Sequence, residues 1–258
     1  MSNIEFDYSS QNQQQYNYES KVISEKKINK EDKYGDDDMF ESWADINVFF
    51  PIGINLVDPL YNMGLTPNMV TILSTIFTIL SIYYLHLGNR HYAFCAYLFG
   101  YTLDCIDGKM ARKYNMGSDI GMALDCTSDN ISNALLFGYI LFNRPNNCVT
   151  GMSLSIIGFM SLLLSLSYGI NEAISSKKET GNDNFYERRL KQINSKKRDG
   201  YEKYLFSLFL FITKSSYQTY KLFFPEYNEK KIFKWLKILK HFGPGNYCLL
   251  VGLILLYI

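Results

Sequence analysis

The chain has 258 residues, a formal net charge of +1 and a mean hydropathy of −0.10. One domain is the default at this length, and so small a net charge gives no electrostatic reason to expect nucleic acid as a partner. The five cysteines, at 95, 105, 126, 148 and 248, have neither disulfide-framework nor zinc-finger spacing, so Cys105 and Cys126 read as small packing residues. The near-neutral mean conceals a contrast, because a polar N-terminus and a charged late segment surround long apolar runs.

Residues 1–38 are rich in Gln, Asn, Tyr, Ser and charge, show no periodicity, and read as a disordered tail. The start, MSNIEFDYSS, lacks the basic region and apolar core of a signal peptide, and Asp36-Asp37-Asp38 reads as solvated charge. Residues 39–65 mix Trp43, Phe49, Phe50 and Tyr61 with Asp45 and Asp58, which suggests an amphipathic segment at a membrane interface. Pro51 and Pro59 are expected to prevent one long helix there. Thr66 and Pro67 then suit the N-cap and first turn of a helix.

Residues 69–87 contain no Asp, Glu, Lys or Arg, and as a helix they would span about 28 Å, close to the hydrocarbon thickness of a bilayer. Gly88-Asn89-Arg90 predicts a tight turn into a second apolar helix over 92–103. A third helix is expected over 118–142, a polar loop over 143–148, and a fourth span over 149–170. Residues 175–243 read as a basic cytosolic or interfacial segment, with only 205–211 dipping into the bilayer. Its lysines and arginines would meet anionic headgroups or plain water. The last apolar run, 247–258, is too short to span comfortably. The 88–90 and 143–148 loops carry only Arg90 and Arg144, whereas the other flanks hold many lysines and arginines, so those flanks are assigned to the cytosol.

The chemistry concentrates between Asp104 and Asp129. On a helix, Asp104, Asp107, Gly108, Ala111 and Arg112 share one sector, while Gly121, Asp125 and Asp129 stack at i, i+4, i+8 on the next. A turn near Asn115, Met116 and Gly117 would bring the four carboxylates into one small volume. Like charges so close repel, and each costs several kcal/mol to desolvate. Hard oxygen ligands at this spacing suit one or two Mg²⁺ or Mn²⁺ ions, which usually arrive with a phosphate. The stretch therefore predicts metal-assisted chemistry on a phosphate or diphosphate.

The same residues carry a resemblance. Asp104, two residues, Asp107-Gly108, two residues, Ala111-Arg112, eight residues, Gly121, three residues, Asp125, three residues and Asp129 resemble the signature of the CDP-alcohol phosphotransferase family. The likeness is strict over the motif and extends in outline from about residue 59 to 170. It implies an all-α, polytopic membrane bundle, usually of six membrane helices, working as a homodimer. Four spans are clear here and one or two C-terminal ones are doubtful.

The resemblance further implies transfer of a phosphoalcohol or phosphatidyl group from a CDP-linked lipid or amino alcohol to an alcohol acceptor, with release of CMP. This is phospholipid biosynthesis at the cytosolic face, in an endoplasmic-reticulum-like membrane if the cell is eukaryotic. Asp104, Asp107 and Asp125 match the family's metal ligands, and Asp129 its general base, also within reach of a metal. Gly108 would admit the nucleotide and Arg112 would fork onto the diphosphate. Ser118 is either a nucleotide contact or the N-cap of the third helix. Asn68 and Thr71 either line the nucleotide site or simply open the first membrane helix. Lys109 and Lys113 are expected to meet headgroups or water. The acceptor, whether inositol, glycerol 3-phosphate, serine or diacylglycerol, is undecided.

Other readings are a divalent-cation transporter, which would want its carboxylates near the bilayer midplane and has no need of Gly108 or Arg112, an inactive scaffold, and a membrane prenyltransferase. The last would want a second aspartate cluster, and the apolar spans after Asp129 hold none.

Overall fold

The computed structural model describes residues 41–144, 147–196 and 198–258, so the tail over 1–38 and its Asp36-Asp37-Asp38 run lie outside the described residues. The described residues form helices joined by short turns. A π-helical turn at Asp45–Phe49 leads into α1 (Phe50–Asn62), α2 (Pro67–His86), α3 (Arg90–Lys113) and α4 (Asp119–Asn143). Then come α5 (Cys148–Thr180), α6 (Phe185–Asn194), α7 (Tyr201–Phe223), α8 (Glu229–Leu239) and, after a 3₁₀ turn at Lys240–Phe242, α9 (Pro244–Tyr257). Five of these helices start where a polar side chain fills the orphan N–H groups of the first turn: Thr66, Ser118, Asn147, Asn184 and Asn228 accept from Met69, Gly121, Thr150, Glu187 and Lys231.

α2 shows what solvent the bundle expects. Its inward stripe is Pro67, Thr71, Ser74, Thr78, Ser81 and Leu85, spaced by three and four, while Ile72, Ile76, Ile79 and Tyr83 point outward. A helix in water would bury those isoleucines. In a bilayer the outward face is already in an apolar medium, and small hydroxyl residues let neighbouring backbones approach. Ser81 Oγ donates to the Ala93 carbonyl of α3 at 2.8 Å, so the small residue also bonds across the interface.

The stretches Pro67–His86, Cys148–Thr180 and Glu229–Tyr257 are long and apolar enough to cross a membrane by length and composition. The sequence reading counts four clear spans. α3 and α4, with 24 and 25 residues, are long enough, but the aspartates and their polar neighbours lower their hydropathy. The apolar C-terminal run is also not isolated at 247–258. It continues α8 through the 3₁₀ turn, which lengthens it to 29 residues.

α3 is the hub, packed against α1, α2 and α9, with α4 against α2. α1 runs unbroken through Pro59, contrary to the expected interruption, and Pro51 sits in its first turn where no N–H is needed. Pro59 removes one ladder bond, and the packing of Val57 against Leu103, Ile106 and Met110 of α3 holds the helix together around it. The lysines expected to meet headgroups or water instead grip this helix. Lys109 Nζ lies 3.7 Å above the Phe50 ring, and Lys113 Nζ pairs with Asp58 at 2.8 Å. Tyr114 Oη donates to Asp58 Oδ1 at 2.6 Å. The Lys113 and Tyr114 donors hold the Asp58 carboxyl below its usual range, and Asp58 pushes the Tyr114 phenol up to about 12.

The region expected to be largely interfacial contains one long helix. α7 continues past Lys214 and Lys221 because a buried stripe, Phe206, Phe209, Thr213, Ser216 and Tyr220, runs its length. Phe206 and Phe209 pack with Ala123 of α4, and Ser165 Oγ of α5 donates to Ser216 Oγ at 3.4 Å. Lys221 finds its counter-charge in Asp183 at 2.8 Å, and Lys214 stays exposed.

Candidate metal centre

α3 ends and α4 begins around a turn that the sequence encodes directly. Asn115 adopts φ 54°, a left-handed conformation that asparagine tolerates, and Met116 N–H returns to the Ala111 carbonyl at 2.9 Å. Ser118 Oγ accepts from Gly121 N–H at 3.0 Å, so of its two expected roles the capping one is realised. This reversal sets the last turns of α3 beside the first turns of α4.

One carboxylate oxygen from each of Asp104, Asp107 and Asp125 lies within 4.8 Å of the other two. Asp129 is not part of that triad. It stands against Asp104 at hydrogen-bonding distance, one turn further along α4. Asp107 is 5% exposed, and Asp104 Oδ1 is buried with no hydrogen-bond partner. Two carboxylates in contact need a proton or a cation between them, and a buried oxygen with no donor needs a cation or water. All the donors are hard oxygens. The residues present therefore fit a small divalent cation of the Mg²⁺ or Mn²⁺ type.

The supporting shell comes from α2. Thr71, 2% exposed, donates its hydroxyl to Asp107 Oδ2 and also lies 3.2 Å from the Pro67 carbonyl. It is buried against Asp107, and its hydroxyl orients that carboxylate. Removing such an outer-shell hydrogen bond typically costs 10–100-fold in metal affinity or activity. Thr71→Val, which keeps the shape and deletes the hydroxyl, is expected to weaken Mn²⁺ binding by about that factor. A Mn²⁺ titration followed by the electron-paramagnetic signal of the free ion measures it, and an unchanged titration would show that Asp107 needs no such support.

Asn68 meets α4. A Cβ on Gly121 would stand 2.9 Å from Asn68 Oδ1 and 3.1 Å from Ser118 Oγ, so the start of α2 meets the start of α4 at this glycine. On α3, a Cβ on Gly108 would be 3.3 Å from Arg112 Nη1, which places the guanidinium folded back over Gly108. Ala111 is half-buried on the same helix. The nine residues singled out from Asp104 to Asp129, with Asn68 and Thr71, thus fall at one junction of three helices.

Sequence reasoning misses the outer rim. Asp119, beside the cap Ser118, accepts from Gln192 Nε2 at 2.9 Å and from Lys196 Nζ and Arg198 Nη2 at 3.0 Å each. Glu172 of α5 accepts from Arg188 Nη2 at 2.7 Å and from Arg189 Nη2 at 2.9 Å. These pairs tie α6 and its loop to α4 and α5. Their partners lie 16 to 79 residues apart, too far for any helical spacing to announce them.

Residues 64–178 match the family described as CDP-alcohol phosphatidyltransferase. Archaetidylinositol phosphate synthase of Pyrococcus horikoshii is 39% identical over 83 residues, 32% of this chain and 44% of that protein. CDP-diacylglycerol--serine O-phosphatidyltransferase of Bacillus subtilis is 33% identical over 108 residues, 42% of this chain and 56% of that protein. CDP-diacylglycerol--inositol 3-phosphatidyltransferase of Saccharomyces cerevisiae is 39% identical over 71 residues, 26% of this chain and 32% of that protein. The chain thus spans between a third and about a half of the length of these relatives. No solved structure matches it. Over the matched segment, the chain is therefore similar to proteins of the CDP-alcohol phosphatidyltransferase family.

Proposed function

We propose that the protein is a membrane transferase that moves a phosphatidyl or phosphoalcohol group from a CDP-linked donor to an alcohol, releasing CMP. The observation that carries the reading is the Asp104–Asp107–Asp125 triad, with the Arg112 guanidinium folded over Gly108 one turn away. Carboxylates and guanidinium together make a site for a diphosphate and its counter-cations. CDP-diacylglycerol is the favoured donor, because it stands in the printed names of the Bacillus and Saccharomyces relatives.

Asp104, Asp107 and Asp125 hold one or two Mg²⁺ or Mn²⁺ ions, with Asp129 at the edge of the same cluster. Bound there, such ions neutralise charge on the diphosphate and on the departing CMP. Arg112 fixes the diphosphate oxygens. Asp129 takes the proton of the acceptor hydroxyl as that oxygen bonds to the phosphorus of the transferred group. The bond from that phosphorus to the bridging oxygen breaks, and CMP leaves with the electron pair. The lysine and arginine distribution supports a cytosolic active face.

The test is CMP release by the purified chain with Mn²⁺. CDP-diacylglycerol is offered with inositol, glycerol 3-phosphate and serine in turn, and diacylglycerol with CDP-choline and CDP-ethanolamine. Mn²⁺-dependent release with one donor–acceptor pair is the expected result. No release with any pair, from protein that binds Mn²⁺, would favour the scaffold or transporter readings.

A further inference from the structure

Helix α3 is also held by a buried carboxylate outside the aspartate cluster, which the proposed reaction does not use. Asp45 is 1% exposed. Its Oδ1 accepts from Tyr101 Oη at 2.6 Å, and its Oδ2 accepts from Ser42 Oγ at 2.7 Å and from Gly245 N–H at 3.1 Å. These donors are neutral, so the carboxylate is compensated by hydrogen bonds and by the N-terminal end of α9.

α9 has no cap of its own, because its N-cap is Gly243. The cap is supplied from two hundred residues upstream. Asn246 N–H donates to Ser42 Oγ at 3.2 Å, and Ala44 N–H donates to Asn246 Oδ1 at 3.0 Å. A Cβ on Gly245 would stand 2.4 Å from Asp45 Oδ1, so the carboxylate occupies the space that any other residue would fill.

Capping alone does not explain Tyr101. That residue lies on α3 one turn before Asp104, and its ring meets Phe49 edge-on at 4.7 Å. Its hydroxyl ends on the same carboxylate that caps α9. The rotation of α3 about its axis, which aims Asp104 and Asp107 at α4, is thereby referred to a fixed point outside the α2–α4 core.

We propose that Asp45, acting through Tyr101, is a positioning residue for the carboxylate centre, so that residues 41–49 are a working part of the site. The proposal rests on the metal-binding reading of that centre. Its decisive measurement, however, is metal binding and not turnover.

Asp45→Asn, Tyr101→Phe and the double variant are purified in detergent and titrated with Mn²⁺ by the paramagnetic signal of the free ion. Melting temperature and CMP release are followed alongside. Tyr101→Phe leaves the bonds from Ser42 and Gly245 in place and so isolates the link to α3. Mn²⁺ binding is expected to weaken about tenfold in each single variant. The double variant should be no weaker than the weaker single one, because both changes break one connection.

Wild-type Mn²⁺ affinity in Tyr101→Phe would overturn the proposal and leave Asp45 a structural cap, as would losses that simply add. Failure of the wild-type chain to bind Mn²⁺ would overturn it too. Weakened Mn²⁺ binding in the variants, from a chain that releases no CMP with any donor, would uphold the positioning role and remove the transferase reading instead.

Discussion

Asp129→Asn is expected to lower CMP release by about 10²–10⁴-fold while a CDP-linked donor still binds. The substitution keeps the size and the hydrogen-bonding shape of the side chain and removes only its capacity to accept a proton. Asp129 lies outside the close triad, against Asp104, so the three remaining carboxylates still form a set within 4.8 Å. Donor binding measured by equilibrium dialysis separates the two steps. Loss of donor binding together with turnover would assign Asp129 to holding the metal and leave the base unidentified.

The second large effect falls on Asp107, and its sign differs with and without metal. Asp107→Asn removes one charge from a cluster of mutually repelling carboxylates, so the metal-free protein should melt at a higher temperature than the wild type. The same change deletes a ligand charge, and Mn²⁺ binding should weaken by at least about a hundredfold. Because a ligand that binds only the folded state stabilises it by mass action, Mn²⁺ should raise the wild-type melting temperature and barely move that of the variant. The amide oxygen still accepts from Thr71, so that hydroxyl keeps its partner, and the new amide N–H groups face the remaining carboxylates. A variant that melts lower than the wild type without metal, yet gains as much from Mn²⁺, would contradict a metal role for the residue.

The parts of the site legible in the sequence were those written in local spacing. Asp104, Asp107, Gly108 and Arg112 fall on one face because a helix repeats every 3.6 residues, and Gly121, Asp125 and Asp129 do so on the next. Thr66 and Ser118 were readable as caps because a cap acts on N–H groups two or three residues away. Misreadings arose where a distant partner decided. Pro59 reads as a breaker, but a helix already pressed against Ile106 and Met110 tolerates one missing bond. The apolar run over 205–211 reads as a short dip, but the helix continues to Phe223, with Lys221 neutralised by Asp183. Lys113 is at the surface as its sequence suggests, and what the sequence does not announce is its partner there, Asp58. Nothing in the neighbourhood of Asp45 announces Gly245 or Tyr101, since no periodicity links positions that meet only after the chain has returned.

The length of α5 has a consequence for access. Its 33 residues amount to about 50 Å of helix, against roughly 30 Å of hydrocarbon. Beyond Ile170 it turns charged, with Glu172, Lys177, Lys178 and Glu179, and α6 is bolted to it there by Arg188 and Arg189. These charged turns are the length left over beyond the hydrocarbon, and the loop after α6 ties back to Asp119, next to the cap Ser118 of α4. Under the proposed transfer, a water-borne acceptor would reach the aspartates from this polar side, and a lipid-borne donor from within the bilayer.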